Sequence, residues 1–392
     1  MNFTVNTTLI RLGMALLFLL AVAVVSYGLI VAWQHPGNDL YERFDEYRLY
    51  QQGVYPHAGI AGVNKHLPGF RTSVYPPFAL PMFGAFFWGG AVLGLVIVQV
   101  LSLAALGGIA WYGYRTMRCA GSTAGALGAL SAIAILGNFD NFVAWQFSII
   151  CMGLITAQLI FLEQNRPLPA GICWALAMIK PQIALPFALL FVLQRKTTGL
   201  IAGIGLLTGL CLIAFQRTGI TLSSYLMAWT NKNSVHFVTE WNNNTLLSMM
   251  ITKLEIPAPI AFCVLAAITI ILVIAFILLL RLRRDRHTSP VDQLLKAGIC
   301  CIGGAVTFYH HKYDAIMLYP ALLATLKLAV TDPTPRRLAL AGAMAFSLWI
   351  PNRLFTIFLH FPDYLFAQNL IRITVAISLL VLLTRNKNLD PG

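Results

Sequence analysis

A series of unbroken apolar runs constrains this chain more than any other feature, beginning with residues 9–33. A helix needs about 20 consecutive apolar residues to cross ~30 Å of hydrocarbon. Inside a bilayer no water is present to satisfy backbone groups, so each run must close its own hydrogen bonds as a helix. The runs do not alternate polar with apolar residues as barrel strands do. Composition closes the soluble alternative: hydrophobic residues make up 58% of the chain and charged residues 10%, against about 25% charged in a soluble domain. The expected fold class is an all-α polytopic integral membrane protein. The first run is too long for a signal-peptide core and lacks a small-residue cleavage site, so it reads as an uncleaved span.

The net charge of +13 does not point to nucleic acid, because no Lys/Arg stripe interleaves with aromatics. The cations cluster at the ends of apolar runs: Arg115 and Arg118, Arg195 and Lys196, the 281–286 run, Arg336 and Arg337, Arg385 and Lys387. That is the pattern of a cytoplasmic face. Placing the clusters on one side gives spans at about 9–33, 91–114, 122–137, 142–162, 168–180, 182–194, 198–216, 258–281, 293–309, 314–330, 338–357 and 365–384. These are twelve, with both termini inside, in one domain of 392 residues. Residues 34–90 form the first outward loop, in which 75–88 lies along the interface or re-enters. Runs 168–180 and 182–194 are too short to cross alone, so Lys180-Pro181 is expected at depth in a protein-lined cavity. The other outward segments are a short turn at 137–141, the long 217–257 stretch and the charged turn at 308–314. The seven cysteines fall mostly within apolar runs without CxxC spacing, against both a disulfide framework and a zinc site.

Charged groups in or beside a membrane are expensive and mark function by default. On the outer half these are Asp39, Asp45, Lys180, His310, His311, Lys312, Asp314, Arg353 and Arg372. Carboxylates lie in one loop, cations and imidazoles elsewhere. A carboxylate facing a cationic pocket suits transfer chemistry with a phosphate leaving group: it takes the proton of an incoming hydroxyl, while Lys, Arg or His neutralises the departing phosphate. Lys180 must face either a bound anion or a distant carboxylate, with Asp140 and Asp39 as candidates. Arg372 either contributes to function, snorkels outward or pairs with Asp363. Glu42 and Glu46, at i and i+4, read as a solvated helix face, and Asp45 is either part of that face or a second acid. Trp88, Trp111 and Trp145 read as interface belt or packing. No Walker A, GxGxxG, HExxH or Asp-x-Asp motif is present, and neither a metal nor a cofactor is expected.

The run Asp39-Leu40 … Gly53-Val54-Tyr55 followed by Tyr75-Pro76-Pro77 resembles the first-loop pattern of glycosyltransferase family 87. So do Ala170-Gly171 with Ile179-Lys180-Pro181, and the 309–313 stretch opening a span. A Tyr-Tyr pair usual after the loop Asp is Arg43-Phe44 here, and a Gly-Gln before the fourth span is Trp145-Gln146. The resemblance implies a GT-C-like fold of about twelve spans with juxtamembrane helices in the first outward loop. It also implies an inner (plasma) membrane enzyme whose site faces the periplasm or outside. Such an enzyme moves a sugar, mannose in typical members, from a polyprenyl-phosphate donor to a glycan or glycolipid acceptor with inversion. By the same resemblance Asp39 is the general base, while Asp45, from its place in the acidic loop, is a possible second acid. Lys180, His310, His311, Lys312 and Arg353 face the donor phosphate, and Tyr41, Gly53, Tyr55, Tyr75, Pro76 and Pro77 shape the loop. The competing readings are a secondary transporter, since broken helices and buried cations occur there too, and a lipid-diphosphate glycan ligase or flippase.

Overall fold

The computed structural model describes residues 7–34, 38–56, 73, 75–227, 290–308, 311–350 and 364–385, with isolated positions between 256 and 270. All regular structure among the described residues is helical. The helices are α1 (Thr7–Gln34), α2 (Asn38–Gln51), α3 (Ala79–Phe87), α4 (Ala91–Met117), α5 (Ser122–Ile133), α6 (Gly137–Ala144), α7 (Ser148–Glu163) and α8 (Pro167–Ala177). They continue as α9 (Pro181–Ala184), α10 (Ala188–Leu193), α11 (Thr197–Thr218), α12 (Pro290–Thr307), α13 (Tyr319–Thr331), α14 (Pro335–Trp349) and α15 (Tyr364–Arg385). A 3-10 turn over Lys312–Leu318 leads into α13.

Four helical stretches are long and apolar enough to cross a membrane, at Ile10–Gln34, Ala91–Ala120, Thr197–Thr218 and Lys312–Thr331. A fifth arises if α5 and α6, bent 44° to each other, are one broken span. The chain is therefore membrane-embedded, and α1 shows why: Leu12, Leu16, Leu19, Val22 and Ile30 are exposed along it, which only lipid tolerates over such a length.

Two of the expected twelve spans are not crossings by themselves. α8 has 11 residues, a reach of about 16 Å at 1.5 Å per residue. Pro181 then opens α9 and the chain returns through a 3-10 turn at Leu185–Phe187 to α10. The two arms pack together: Trp174 donates from Nε1 to the Ala184 carbonyl at 3.0 Å, and its ring meets Phe191 edge-on at 6.2 Å. At the open end Lys196 bonds Asn165. The result is a helical hairpin with Lys180 at its tip. The expected short turn at 137–141 is also different, being the start of α6. α3, at nine residues, is too short to span, as expected for the 75–88 segment. Most of the expected span at 258–281 and most of the 217–257 stretch lie outside the described residues.

The long elements alternate between two ends. α4, α7 and α13 close together at one end, where Arg115 pairs with Glu163 and Lys327 Nζ donates to the Thr116 carbonyl at 2.8 Å. At the opposite end lie the start of α2, the α6–α7 junction and the 3-10 turn before α13. Arg336 and Arg337 follow directly after α13 at the first, cation-rich end. Trp88 and Trp111 are exposed, whereas Trp145 is buried in the core.

Candidate active site

Residues 145–147 link α6 to α7, and Trp145 makes the turn by adopting a left-handed conformation, φ 54° and ψ 50°. That conformation is costly for a bulky residue. It is held because the indole is buried and donates from Nε1 to the Ala32 carbonyl at 3.3 Å. The turn delivers Gln146 towards α2, where its Nε2 donates to Asp39 Oδ2 at 2.6 Å. Asp39 lies in the first turn of α2, where a carboxylate complements the helix dipole. Arg43, one turn on, donates from Nε to the Asp39 carbonyl oxygen at 3.3 Å.

Two residues beyond Gln146, the Ser148 hydroxyl donates to Asp314 Oδ1 at 2.5 Å. Lys180 Nζ reaches from the hairpin tip to the same oxygen at 2.9 Å and to Ser148 Oγ at 2.9 Å, and lies 4.5 Å from the centroid of the Tyr313 ring. The other Asp314 oxygen accepts from the backbone N–H of His311 at 3.1 Å, and the Asp314 N–H returns to the His311 carbonyl at 2.9 Å. This reciprocal box fixes the 311–314 turn. Lys180 and Asp314 are both buried. Lys180 thus has a carboxylate partner, and it is Asp314 rather than either carboxylate expected from the sequence. Asp140 is instead held by Lys312, Nζ to Oδ1 at 2.6 Å.

His311 sits on the Asp314 side of the cluster. Its ring lies 4.8 Å from that of Tyr313, and the charges acting on it are Asp314, Lys180, Asp39 and Lys312. Burial lowers its pKa below the usual imidazole value, while Asp314 and Asp39 pull the other way. Asp39, Gln146, Ser148, Lys180, His311 and Asp314 therefore form one connected cluster, with Lys312 exposed at its margin.

The remaining expected residues fall in three groups. Tyr75 stacks under the Arg43 guanidinium at 4.8 Å and packs edge-on to Phe83 and Phe147. Pro76 and Pro77 start the turn into α3, their carbonyls accepting from Ala79 and Leu80. Gly53 takes φ 79° where the chain leaves α2, and Tyr55 is buried against Tyr225. Tyr41 is exposed, and the Asp45 carboxylate turns towards Arg48 at 3.9 Å, so neither joins the cluster. His310 and Arg353 lie outside the described residues.

Glu46 corrects the expected solvated face: it has no exposed surface and lies 2.6 Å from Arg43 Nη1, whereas Glu42 stays partly exposed on the same guanidinium at 2.8 Å. Arg372 is also buried, within reach of Asn369 and Gln368, and does not snorkel; Asp363 lies outside the described residues. Among the described residues no group of three or more His, Cys, Asp or Glu converges as metal ligands would. Gln146, Ser148 and Asp314 were not among the residues assigned roles from the sequence. Asp314 carried a signal, as a carboxylate opening an apolar span in a chain poor in charge, and Gln146 stood at the Gln of the family's Gly-Gln pattern; Ser148 carried none.

The family model for glycosyltransferase family 87 matches residues 74–303, more than half of the chain. The matched stretch contains Tyr75, Gln146, Ser148 and Lys180, while Asp39 and the 311–314 turn flank it on either side. No match was found among curated proteins or among solved structures.

Proposed function

The chain belongs to glycosyltransferase family 87, and from that premise we propose that it transfers one sugar, a hexose such as mannose, from a polyprenyl monophosphate to an acceptor hydroxyl, with inversion. The observation that carries the reading is the Asp39 carboxylate, held by Gln146 at 2.6 Å in a turn that also anchors the Lys180–Asp314 pair and the His311 loop. Asp39 takes the proton of the acceptor hydroxyl as its oxygen attacks the anomeric carbon from the face opposite the phosphate. The new glycosidic C–O bond forms, the sugar–phosphate C–O bond breaks, and the electron pair leaves on the phosphate. His311 and Lys312, the latter paired with Asp140 at the exposed margin, are the described groups proposed to stabilise that leaving group, with His310 and Arg353 as further candidates. Lys180 is instead buried in its pair with Asp314.

A lipid-linked donor accounts for a polar site at one end of apolar helices, because the isoprenoid stays in hydrocarbon while the head group enters. The fold is proposed to be GT-C-like, in the plasma membrane, with the Asp39 end facing outwards and the cation-rich end facing the cytoplasm. Family membership weighs against the transporter reading. Asp39→Asn tests the base, since the amide is nearly isosteric but cannot take the proton. Transfer should fall by about 10²–10⁴-fold, with polyprenyl monophosphate binding and melting temperature little changed. Near-normal transfer by this variant would remove Asp39 from the base role.

A further inference from the structure

Lys180 is placed as no ligand-binding lysine needs to be. Its ammonium meets Asp314 Oδ1 and Ser148 Oγ, each at 2.9 Å, and lies against the face of Tyr313. Each direction in which it donates therefore has a partner. Only 2% of the residue is exposed, while the Lys312 side chain, on the turn next to it, is 65% exposed. Ser148 accepts from Lys180 and donates its own O–H in a hydrogen bond to Asp314, and Asp314 in turn accepts from the His311 N–H. Three segments far apart in sequence are tied at one point: the tip of the α8–α10 hairpin, the first residue of α7 and the turn before α13. Because Ser148 follows Gln146 by two residues, the knot is mechanically continuous with the hydrogen bond that holds Asp39.

We propose that Lys180 is a positioning residue, which with Ser148 and Asp314 locks the hairpin tip to the Asp39-bearing and His311-bearing turns and does not itself contact the donor phosphate. The role rests on the glycosyl-transfer reading of the site. In a buried environment the ammonium cannot swing to a ligand without stranding the Asp314 carboxylate, and unpaired buried charge is strongly unfavourable. The Lys180–Ser148–Asp314 contacts tie the 311–314 turn to the 145–148 turn from inside, alongside the more exposed Lys312–Asp140 pair on α6, so their loss loosens the spacing between Asp39 and His311. Misplacement of reacting groups by about 1 Å lowers turnover by as much as ~10²-fold.

The test is a cycle of Lys180→Met, Asp314→Asn and the double variant in the full-length protein in lipid nanodiscs. It reads melting temperature, binding of sugar-free polyprenyl monophosphate, and turnover of polyprenyl-phosphate mannose in membranes containing the acceptor. Each single variant should melt several degrees lower and turn over at least tenfold more slowly. The double variant, which removes both charges, should regain most of the melting temperature and part of the turnover. Probe affinity should stay within about threefold throughout. A tenfold or greater loss of probe affinity in Lys180→Met at unchanged melting temperature would overturn the proposal and make Lys180 a phosphate ligand. So would strictly additive losses in the double variant, because the two residues would then act independently. If Lys180→Met does not fold, probe affinity of the double variant and of Lys180→Arg decides in the same terms. Wild-type protein that ignores the probe would instead overturn the lipid-phosphate reading, a result visible before any variant is made.

Discussion

Glu46 has no exposed surface, and its nearest charge is the Arg43 guanidinium at 2.6 Å. Burial pushes its pKa up from 4.5 to about 7, against the opposing pull of Arg43. The folded state therefore binds a proton more tightly than the unfolded chain does. Stability from this group is fully present below about pH 4.5 and is lost as pH rises through 7, a span worth on the order of 3 kcal/mol. Melting temperature should fall between pH 5 and 8, and Glu46→Gln should flatten that slope; an unchanged slope in the variant would assign the titration elsewhere. Burial of this group was illegible because sequence gives the sign of a charge and not its neutralisation. The buried stripe of α2 runs Leu40, Arg43, Glu46, Leu49, Tyr50, a helical face in which two of the five members are charged. The partner of Lys180 was illegible for the same reason. The depth of Lys180 followed from Pro181 and the short flanking runs, but its partner lies 134 residues away, where no local pattern reaches.

The α8–α10 hairpin reaches its depth only because α8 lies backbone to backbone on α11. A Cβ added at Gly171 would come within 1.9 Å of the Gly199 carbonyl oxygen, and one at Gly203 within 2.8 Å of the Gly171 carbonyl oxygen. Close approach of this kind is how small residues pack membrane helices. Gly171→Ala must push the two helices apart, and overpacking commonly costs about 1–3 kcal/mol, more where the obstacle is backbone. A drop of several degrees in melting temperature is expected, with lower transfer as the Lys180 tip shifts. Gly209→Ala, on the same α11 but with nothing within 4 Å of the added atom, is the matched control and should be near neutral. Equal stability of the two variants would mean that the contact does not set the hairpin's position. Apolar runs made α1, α4 and α11 legible, since length and hydropathy decide such helices by themselves. The α6 helix and the left-handed Trp145 were not, because a 44° bend and a positive φ depend on what packs behind them: the Trp145 indole on the Ala32 carbonyl, 113 residues away.

Across the whole molecule, the polar cluster and the cation-rich contacts occupy opposite ends of the same helices. α7 starts at Ser148, in the cluster, and ends at Glu163 beside Arg115. The stretch from Lys312 likewise begins beside Asp140 and continues to Lys327, which reaches the Thr116 carbonyl. The proposed topology puts the second, cation-rich end in the cytoplasm, and the proposed chemistry depends on that topology. A lipid-phosphate donor serves where nucleotide sugars are absent, so the proposal requires Asp39 to face away from the cytoplasm. Asp45→Cys and Arg336→Cys test this, because both positions are solvent-accessible and lie at opposite ends. The exposed native thiols Cys119 and Cys263 are first replaced by serine. A membrane-impermeant maleimide applied to intact spheroplasts should label the cysteine at position 45 at once and that at 336 only after lysis. The reverse pattern would turn the Asp39 cluster towards the nucleotide-sugar pool. The reason for a lipid donor would then disappear, and with it the assignment of His311 and Lys312 to a lipid phosphate, even though family membership and the Asp39–Gln146 geometry would stand.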